Sequence, residues 1–506
     1  MIQRLLSLPL IVILMGLGAI AMLFPATYGY LVRELHAARV FLYAGVLLLT
    51  LTSLIAIATA NNPSRSVARS HLVALLSTYL VLPALLAIPF YETLQNTSFL
   101  NAYFEMVSSL TTTGATLFDE PGRLVSTLHL WRAIVGWMGG FFVWVMGIAV
   151  LAPLNLGGFE VTSRSRIGLT GTYYSQVEGG ADPSKRLAKH AITLLPIYSG
   201  LTLALWIFLI LAGESPFVAV CHAMSTLATS GISPIGGISN GNAGYVGEGL
   251  IFIFLFFAIS RLTFAPETQS ESISRLSRDP EFRMGLFFIV MVPTLLFVRH
   301  WVGAYEVDDE ENAIAALKAL WGSAFTVLSF LSTAGFESGD WSEARGWSGL
   351  ETPGLILVGL SLVGGGVATT AGGVKLLRVY ALYKHGLREM DRLVHPSSVG
   401  GSGAEARHLR RQGAYMAWIF FMLFALSVAV VMVSLSLTGL TFETTIVLTV
   451  ASLSTTGPLA SVAAETPVAY SAMGSAAKMI LAAAMVVGRL ETLAIIALLN
   501  PDLWRS

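Results

Sequence analysis

The chain has 506 residues, of which 55% are hydrophobic and only 12% charged; its mean hydropathy is +0.71 and its formal net charge is zero. A soluble domain carries about 25% charged residues, so this composition belongs in a membrane rather than in water. The one cysteine, Cys221, rules out an internal disulfide and leaves no basis for a cysteine-held metal site.

Taken in chain order, apolar stretches able to cross the hydrocarbon core, which takes about 20 residues of helix, lie near 7–26, 38–60, 70–90, 128–154, 190–212, 247–265, 283–301, 352–382, 413–438 and 471–499. The first follows Arg4 and imitates a secretory leader, with Ala19-Ile20-Ala21 as a weak cleavage site. A retained helix is the better reading, because a second span follows at once. Four shorter, half-apolar segments intervene at 98–110, 216–227, 313–331 and 442–453. Their length favours re-entrant helices over full crossings.

Each short segment runs into the same pentapeptide frame: Leu, a small residue, Thr, any residue, Gly. The copies are L-T-T-T-G at 110–114, L-A-T-S-G at 227–231, L-S-T-A-G at 331–335 and L-S-T-T-G at 453–457. Their glycines are 117, 104 and 122 residues apart. Long span, short helix, pentapeptide and long span therefore recur four times. This gives an N-terminal helix pair at 1–66 and repeats at 67–160, 161–270, 271–400 and 401–506. Two crossings per repeat return the chain to its starting side, so the repeats are parallel, whereas an inverted-repeat carrier alternates. The expected fold is an all-α integral membrane protein, with four helix–pore helix–filter–helix units around a pseudo-fourfold pore.

Loop charge orients the chain. The loops at 61–70, 156–190, 265–283 and 375–411 hold 18 Lys and Arg, and the pentapeptide-bearing segments at 91–128, 214–248, 303–351 and 440–470 hold 3. The positive-inside rule puts the N-terminus in the cytoplasm and the pentapeptides on the outer side. The outer segments also carry 17 Asp and Glu, including the run Asp308, Asp309, Glu310, Glu311. That run either concentrates cations in a vestibule or simply solvates an external loop.

Irregular backbone at membrane depth is tolerated only where it is buried in protein or lines a watery cavity. Four equivalent glycine turns around one axis make a ring of backbone carbonyls, which replaces the water shell of a small cation. The filter candidates are Thr111, Thr112, Thr113 and Gly114; Thr229, Ser230 and Gly231; Thr333, Ala334 and Gly335; and Thr455, Thr456 and Gly457. The shared column Thr112, Thr229, Thr333 and Thr455 offers hydroxyls at the inner end. A pore helix before each turn directs the negative end of its dipole toward the axis. With no carboxylate in the pentapeptides, the donor set suits a permeating monovalent ion better than a tightly held divalent one. Any single copy alone reads as helix packing.

The span 352–382 is interrupted by Gly364, Gly365, Gly366, Gly372 and Gly373, with Thr369 and Thr370 between them. Each glycine inside a helix costs roughly 1 kcal/mol, so the helix should break just cytoplasmic of the third filter. Lys375 closes that stretch, either as part of it or as a snorkelling side chain. Arg489 lies well inside the last span, where a charge is costly and usually functional.

These residues together resemble the TrkH branch of the Trk/Ktr/HKT superfamily of potassium transport subunits. T-T-T-G-A-T at 111–116 resembles its first filter. Trp131-Arg132 and Trp137-Met138-Gly139-Gly140 resemble the helix that follows. G-G-G-V-A-T-T-A-G-G-V-K at 364–375 resembles its intramembrane loop, and G-R-L-E at 488–491 the end of its last helix. The extra N-terminal pair is also typical of that branch. The resemblance implies potassium uptake across a bacterial cytoplasmic (inner) membrane, with potassium as permeant and no bound organic cofactor. It makes 364–373 the gate and puts Arg489 beneath the filter. It further implies a homodimer and a separate cytosolic nucleotide-binding subunit of TrkA type. The basic loop 375–411, with Lys384, Arg388, Arg392, Arg407, Arg410 and Arg411, is either the docking surface for that subunit or ordinary positive-inside charge. No nucleic-acid partner is expected. Two departures stand out: Pro458 follows the fourth glycine, and Glu337 lies near the outer mouth of the third filter.

The competing reading is a symporter coupled to protons or sodium by alternating access. It needs a buried carboxylate, for which Glu105 is the best candidate. An intramembrane enzyme has no support, since H-E-x-x-H is absent.

Overall fold

The computed structural model describes residues 8–59, 67–152, 158, 183–260, 276–303, 312–350, 352–395, 411–464 and 466–490. The described residues hold helices and no strand, and eight helical stretches are long and apolar enough to cross a membrane. An N-terminal group comprises α1 (Leu10–Ala21), α2 (Leu23–Leu31) and α3 (Leu35–Thr59). The first repeat is α4 (Val67–Leu94), α5 (Phe99–Leu110) and α6 (Ser126–Met146). The second is α7 (Pro183–Leu211), α8 (Pro216–Ala228) and α9 (Gly244–Leu255). The third is α10 (Pro280–Gly303), α11 (Asn312–Leu331), α12 (Trp341–Ser348), α13 (Gly354–Val363) and α14 (Leu376–Val394). The fourth is α15 (Arg411–Ser436), α16 (Phe442–Leu453), α17 (Leu459–Val462) and α18 (Ser475–Leu490).

The short helices α5, α8 and α16 begin on side-chain caps. Ser98 accepts from Asn101 N–H at 3.3 Å, Ser215 from Val218 N–H at 3.4 Å, and Thr441 from Thr444 N–H at 3.5 Å. Such caps satisfy backbone donors that the first turn leaves unpaired. The N-terminal group is built into the bundle rather than appended. Phe41 packs edge-on against Trp131, with ring centroids 5.5 Å apart. Glu34 receives the backbone N–H groups and hydroxyls of both Ser126 and Thr127, so one carboxylate caps the start of α6.

Three elements differ from the sequence expectation. The third short segment is a 20-residue helix, α11, long enough by itself to span. The second repeat's outgoing helix is short: α9 ends at Leu255 and a single 3-10 turn, Phe256–Ala258, follows. Ala258 and Ile259 there support the glycine-rich loop of the third repeat. Finally, α6 runs into a π-helical turn, Gly147–Leu151, whose first residue faces Ala368 of the same loop. The expected span 352–382 is divided, with residues 364–375 out of helix between α13 and α14.

Candidate functional site

All four short helices end in one backbone motif. Thr112, Thr229, Thr333 and Thr455 have φ of 53°, 49°, 60° and 55°, the left-handed region. The next residue donates its N–H five residues back: Thr113 to Ser108, Ser230 to Ser225, Ala334 to Ser329 and Thr456 to Ala451, at 2.8–2.9 Å. Each threonine's own N–H reaches three residues back, at 2.9–3.3 Å. This pair of bonds defines a Schellman helix end, a position usually filled by glycine. A β-branched residue there is a backbone outlier, costing about 1–3 kcal/mol. Four such threonines mark a place where a hydroxyl is kept in spite of its backbone.

Beyond the threonines the four strands close a ring. A methyl group on Gly114 would collide with Ser230 O, one on Gly231 with Ala334 O, one on Gly335 would press on Pro458, and one on Gly457 would collide with Ala115. Neighbours therefore run first to second to third to fourth and back to first. The frame Gly114, Gly231 and Gly335 shares left-handed φ of 73°, 65° and 77°. Gly457 does not share it: its N–H donates to Thr113 O at 2.6 Å, and its carbonyl accepts from the Tyr470 hydroxyl at 3.0 Å. Pro458 reaches across the ring to lie against Gly231 as well as Gly335.

Behind the ring, a polar side chain on the short helix ties down the outgoing strand. Glu105 accepts from the Thr116 hydroxyl at 2.9 Å and from Leu117 N–H, and it is ion-paired to Arg132 at 3.0 Å. His222, at the same place in the second repeat, bonds Ser233 Oγ at 2.9 Å, and Thr326 in the third accepts from Ser338 N–H at 3.4 Å. Leu448 takes that place in the fourth. Sequence reading missed this tether; the signal was a polar residue nine positions before the glycine in three of four copies. Glu105 is fully buried among these partners.

The glycine-rich loop lies directly inside the ring. Gly372 N–H donates to Thr333 Oγ1 at 2.7 Å, and a side chain on Gly372 would collide with Ser454 O and Thr455 Oγ1. Thr370 Oγ1 donates to Leu227 O at 3.1 Å, and Val367 packs on Gly158. The loop thus touches all four repeats. Gly364 and Gly373 have φ of 71° and 76° and pack on one another where the loop leaves and regains the helix. The bonds Val374 N–H to Leu362 O and Leu376 N–H to Gly365 O, both 2.9 Å, close its base. Lys375 is 7% exposed and folds back to donate from Nζ to Ala371 O, so it is part of the loop rather than a snorkelling side chain.

Arg489 is buried in the last described turn of α18, beside the Tyr79 hydroxyl of α4. Gly488 next to it packs on Leu453 O, the end of the fourth short helix, as Gly139 packs on Leu110 O in the first repeat. Trp131 donates to Leu86 O at 3.1 Å, and Arg132 holds Glu105. Glu337 is half-buried outside the ring. Lys384, Arg388 and Arg392 lie on α14. Arg407, Arg410, the acidic run 308–311 and Glu491 lie outside the described residues, as does the side chain of Arg411. Among the described residues no group of three or more His, Cys, Asp or Glu is placed to hold a metal ion.

Residues 247–503 match the TrkH family, described as cation transport protein. The chain is 32% identical over 438 residues to the Trk system potassium uptake protein TrkH of Escherichia coli strain K12, with 84% of each chain covered. It is 30% identical over 425 residues to the protein of that name from Vibrio parahaemolyticus, with 81% of each covered. The crystal structure of the potassium transporter TrkH from Vibrio parahaemolyticus superposes with a TM-score of 0.80 at 26% identity, covering 100% of both chains.

Proposed function

The chain belongs to the TrkH family of cation transport proteins, and from that membership we propose that it takes up potassium through a channel-like pore with a backbone filter and an intramembrane gate loop. The observation that carries this reading is the position of residues 364–375. One loop touches all four repeats immediately inside the ring where the four pentapeptides converge. A loop held there by single hydrogen bonds, each worth about 1 kcal/mol net, blocks the path and is light enough to move.

In this reading the residues of 111–114, 229–231, 333–335 and 455–457 supply neutral oxygens to a dehydrated cation. The strained threonines put hydroxyls at the inner end of the filter, where Thr333 Oγ1 also holds the closed loop. Arg489 adds fixed positive charge beneath the fourth strand and opposes leakage. The protein sits in a bacterial inner membrane with its N-terminus in the cytoplasm, pairs with a second copy, and takes its control from a TrkA-type nucleotide-binding subunit docked on the basic surface of α14. Its relatives are transporters, and no enzymatic role is assigned.

The test is flux of potassium, rubidium and sodium into liposomes holding the pure protein, with and without a TrkA-type partner. Deletion of 366–371 should raise basal flux, and Gly335→Ser should narrow the difference between potassium and sodium. A folded deletion variant with unchanged or lower flux overturns the gate assignment. Equal passage of all three cations, unaffected by Gly335→Ser, overturns the filter.

A further inference from the structure

We propose that Glu281 is a latch through which the cytoplasmic connection between the second and third repeats positions the loop beneath the filter; this rests on reading the loop as the gate. The loop has two halves. Residues 370–372 face the ring, through Leu227, Thr333, Ser454 and Thr455. Residues 365–369 face away from it, toward the two ends of one connection. Gly366 N–H donates to Ala258 O at 2.9 Å, near the end of the second repeat, and the Thr369 hydroxyl lies between Gly366 O at 2.8 Å and Ala258 O at 3.1 Å. Val367 N–H donates to Glu281 Oε1 at 2.8 Å, in the first turn of α10, where the third repeat begins. Ala368, with φ of 54°, puts a bend inside the back half.

Glu281 is 2% exposed. A carboxylate buried to that degree is costly unless its oxygens are engaged, and its acceptor bond to an interior loop N–H is of the stronger, charge-assisted kind. The two anchors are also joined to each other, since Ser260 Oγ donates to Asp279 Oδ2 and Ile259 packs on Gly285 of α10. Residues 261–275 link them through the chain. Ala258 and Glu281 are therefore coupled supports for the back half of the loop. Glu281 is a positioning residue: it holds Val367 on the side of the loop that faces away from the ring, and its release frees that side.

The experiment compares Glu281→Ala, Glu281→Gln, the exposed control Arg283→Ala and the 366–371 deletion in liposomes without any partner subunit. The readouts are basal potassium flux and the rate at which Ala368→Cys, in a Cys221→Ser background, reacts with a membrane-impermeant thiol reagent. Glu281→Ala should raise both by about fivefold, the factor that one net hydrogen bond gives a two-state equilibrium. Glu281→Gln, whose amide oxygen still accepts from Val367, and Arg283→Ala should stay near the parent. Raised flux in the deletion with a parent-like Glu281→Ala overturns the latch and leaves the gate standing. A deletion that fails to raise flux overturns both. Matching effects of Glu281→Ala and Glu281→Gln overturn the acceptor role.

Discussion

The first three pentapeptide strands and the fourth begin from the same helix ending and then part company. In the first three, a polar side chain on the preceding helix holds the outgoing strand from behind, and the glycine adopts a left-handed φ. In the fourth, Leu448 offers no tether, Gly457 turns its carbonyl to Tyr470, and Pro458 leans over Gly231 and Gly335. Three strands are fixed from the back and one is fixed from the front, by its neighbours. Sequence symmetry in the pentapeptide is thus compatible with unequal mechanical roles, because the strand's path is set by partners that lie outside the five residues.

Giving the other repeats the fourth repeat's leucine is the strongest way to break this contrast. Glu105→Leu strands Arg132, which is 4% exposed. Removing one partner of a buried ion pair costs about 3–5 kcal/mol, and thermal unfolding in detergent should register it as the largest loss of the set. Next comes Gly231→Ser, which adds a side chain at φ 65° against Ala334 O and Pro458. Potassium flux should fall at least about tenfold, a change of about 1.4 kcal/mol in the barrier.

Gly335→Ser should be milder, since its nearest obstacle is the ring of Pro458 at 3.1 Å rather than backbone. Pro458→Ala should restore part of its flux, and the double-mutant cycle should show coupling of at least about 0.5 kcal/mol. Strictly additive effects would sink the idea that Pro458 bears on the third strand. Tyr470→Phe removes the hydroxyl that holds Gly457 O and leaves the ring in place. We expect about 1 kcal/mol of stability lost and a changed potassium-to-sodium flux ratio; loss of stability with an unchanged ratio would make Tyr470 a packing residue only. Thr326→Leu breaks a 3.4 Å bond and should cost less than about 1 kcal/mol, the smallest effect of the series.

The repeat plan was legible because a polar pentapeptide in an apolar chain is conspicuous, and because five glycines and two threonines interrupt an otherwise continuous span. The family likewise announced itself through Thr111–Thr116 and Gly364–Lys375. Other features were illegible for identifiable reasons. Local propensity argues against threonine in the left-handed region, so the Schellman endings at Thr112, Thr229, Thr333 and Thr455 are overrides by tertiary structure. Glu105, His222 and Thr326 differ in chemistry, and the equivalence of their tethers shows only once strands and helices are placed side by side. The truncation of α9 is invisible in hydropathy, since Phe256, Phe257 and Ile259 are as apolar as any helix interior. L-S-T-T-G at 453–457 looks like a regular fourth copy because the residue that redirects it, Tyr470, lies 13 positions downstream.

The glycine-rich loop touches all four repeats just inside the ring, and it comes from one repeat of the four. An axis has room for a single occupant. In a ring of four identical subunits every copy of such a loop would have equal claim to that space, and closed symmetry forbids one copy from behaving differently without breaking the ring's equivalence. Joining the repeats in one polypeptide fixes the stoichiometry at one such loop per ring. It also leaves the other three repeats free to spend the corresponding positions on other tasks: the π-turn after α6, the early stop of α9 and the buried arginine of α18 all stand where a second, third or fourth loop would otherwise have to fit.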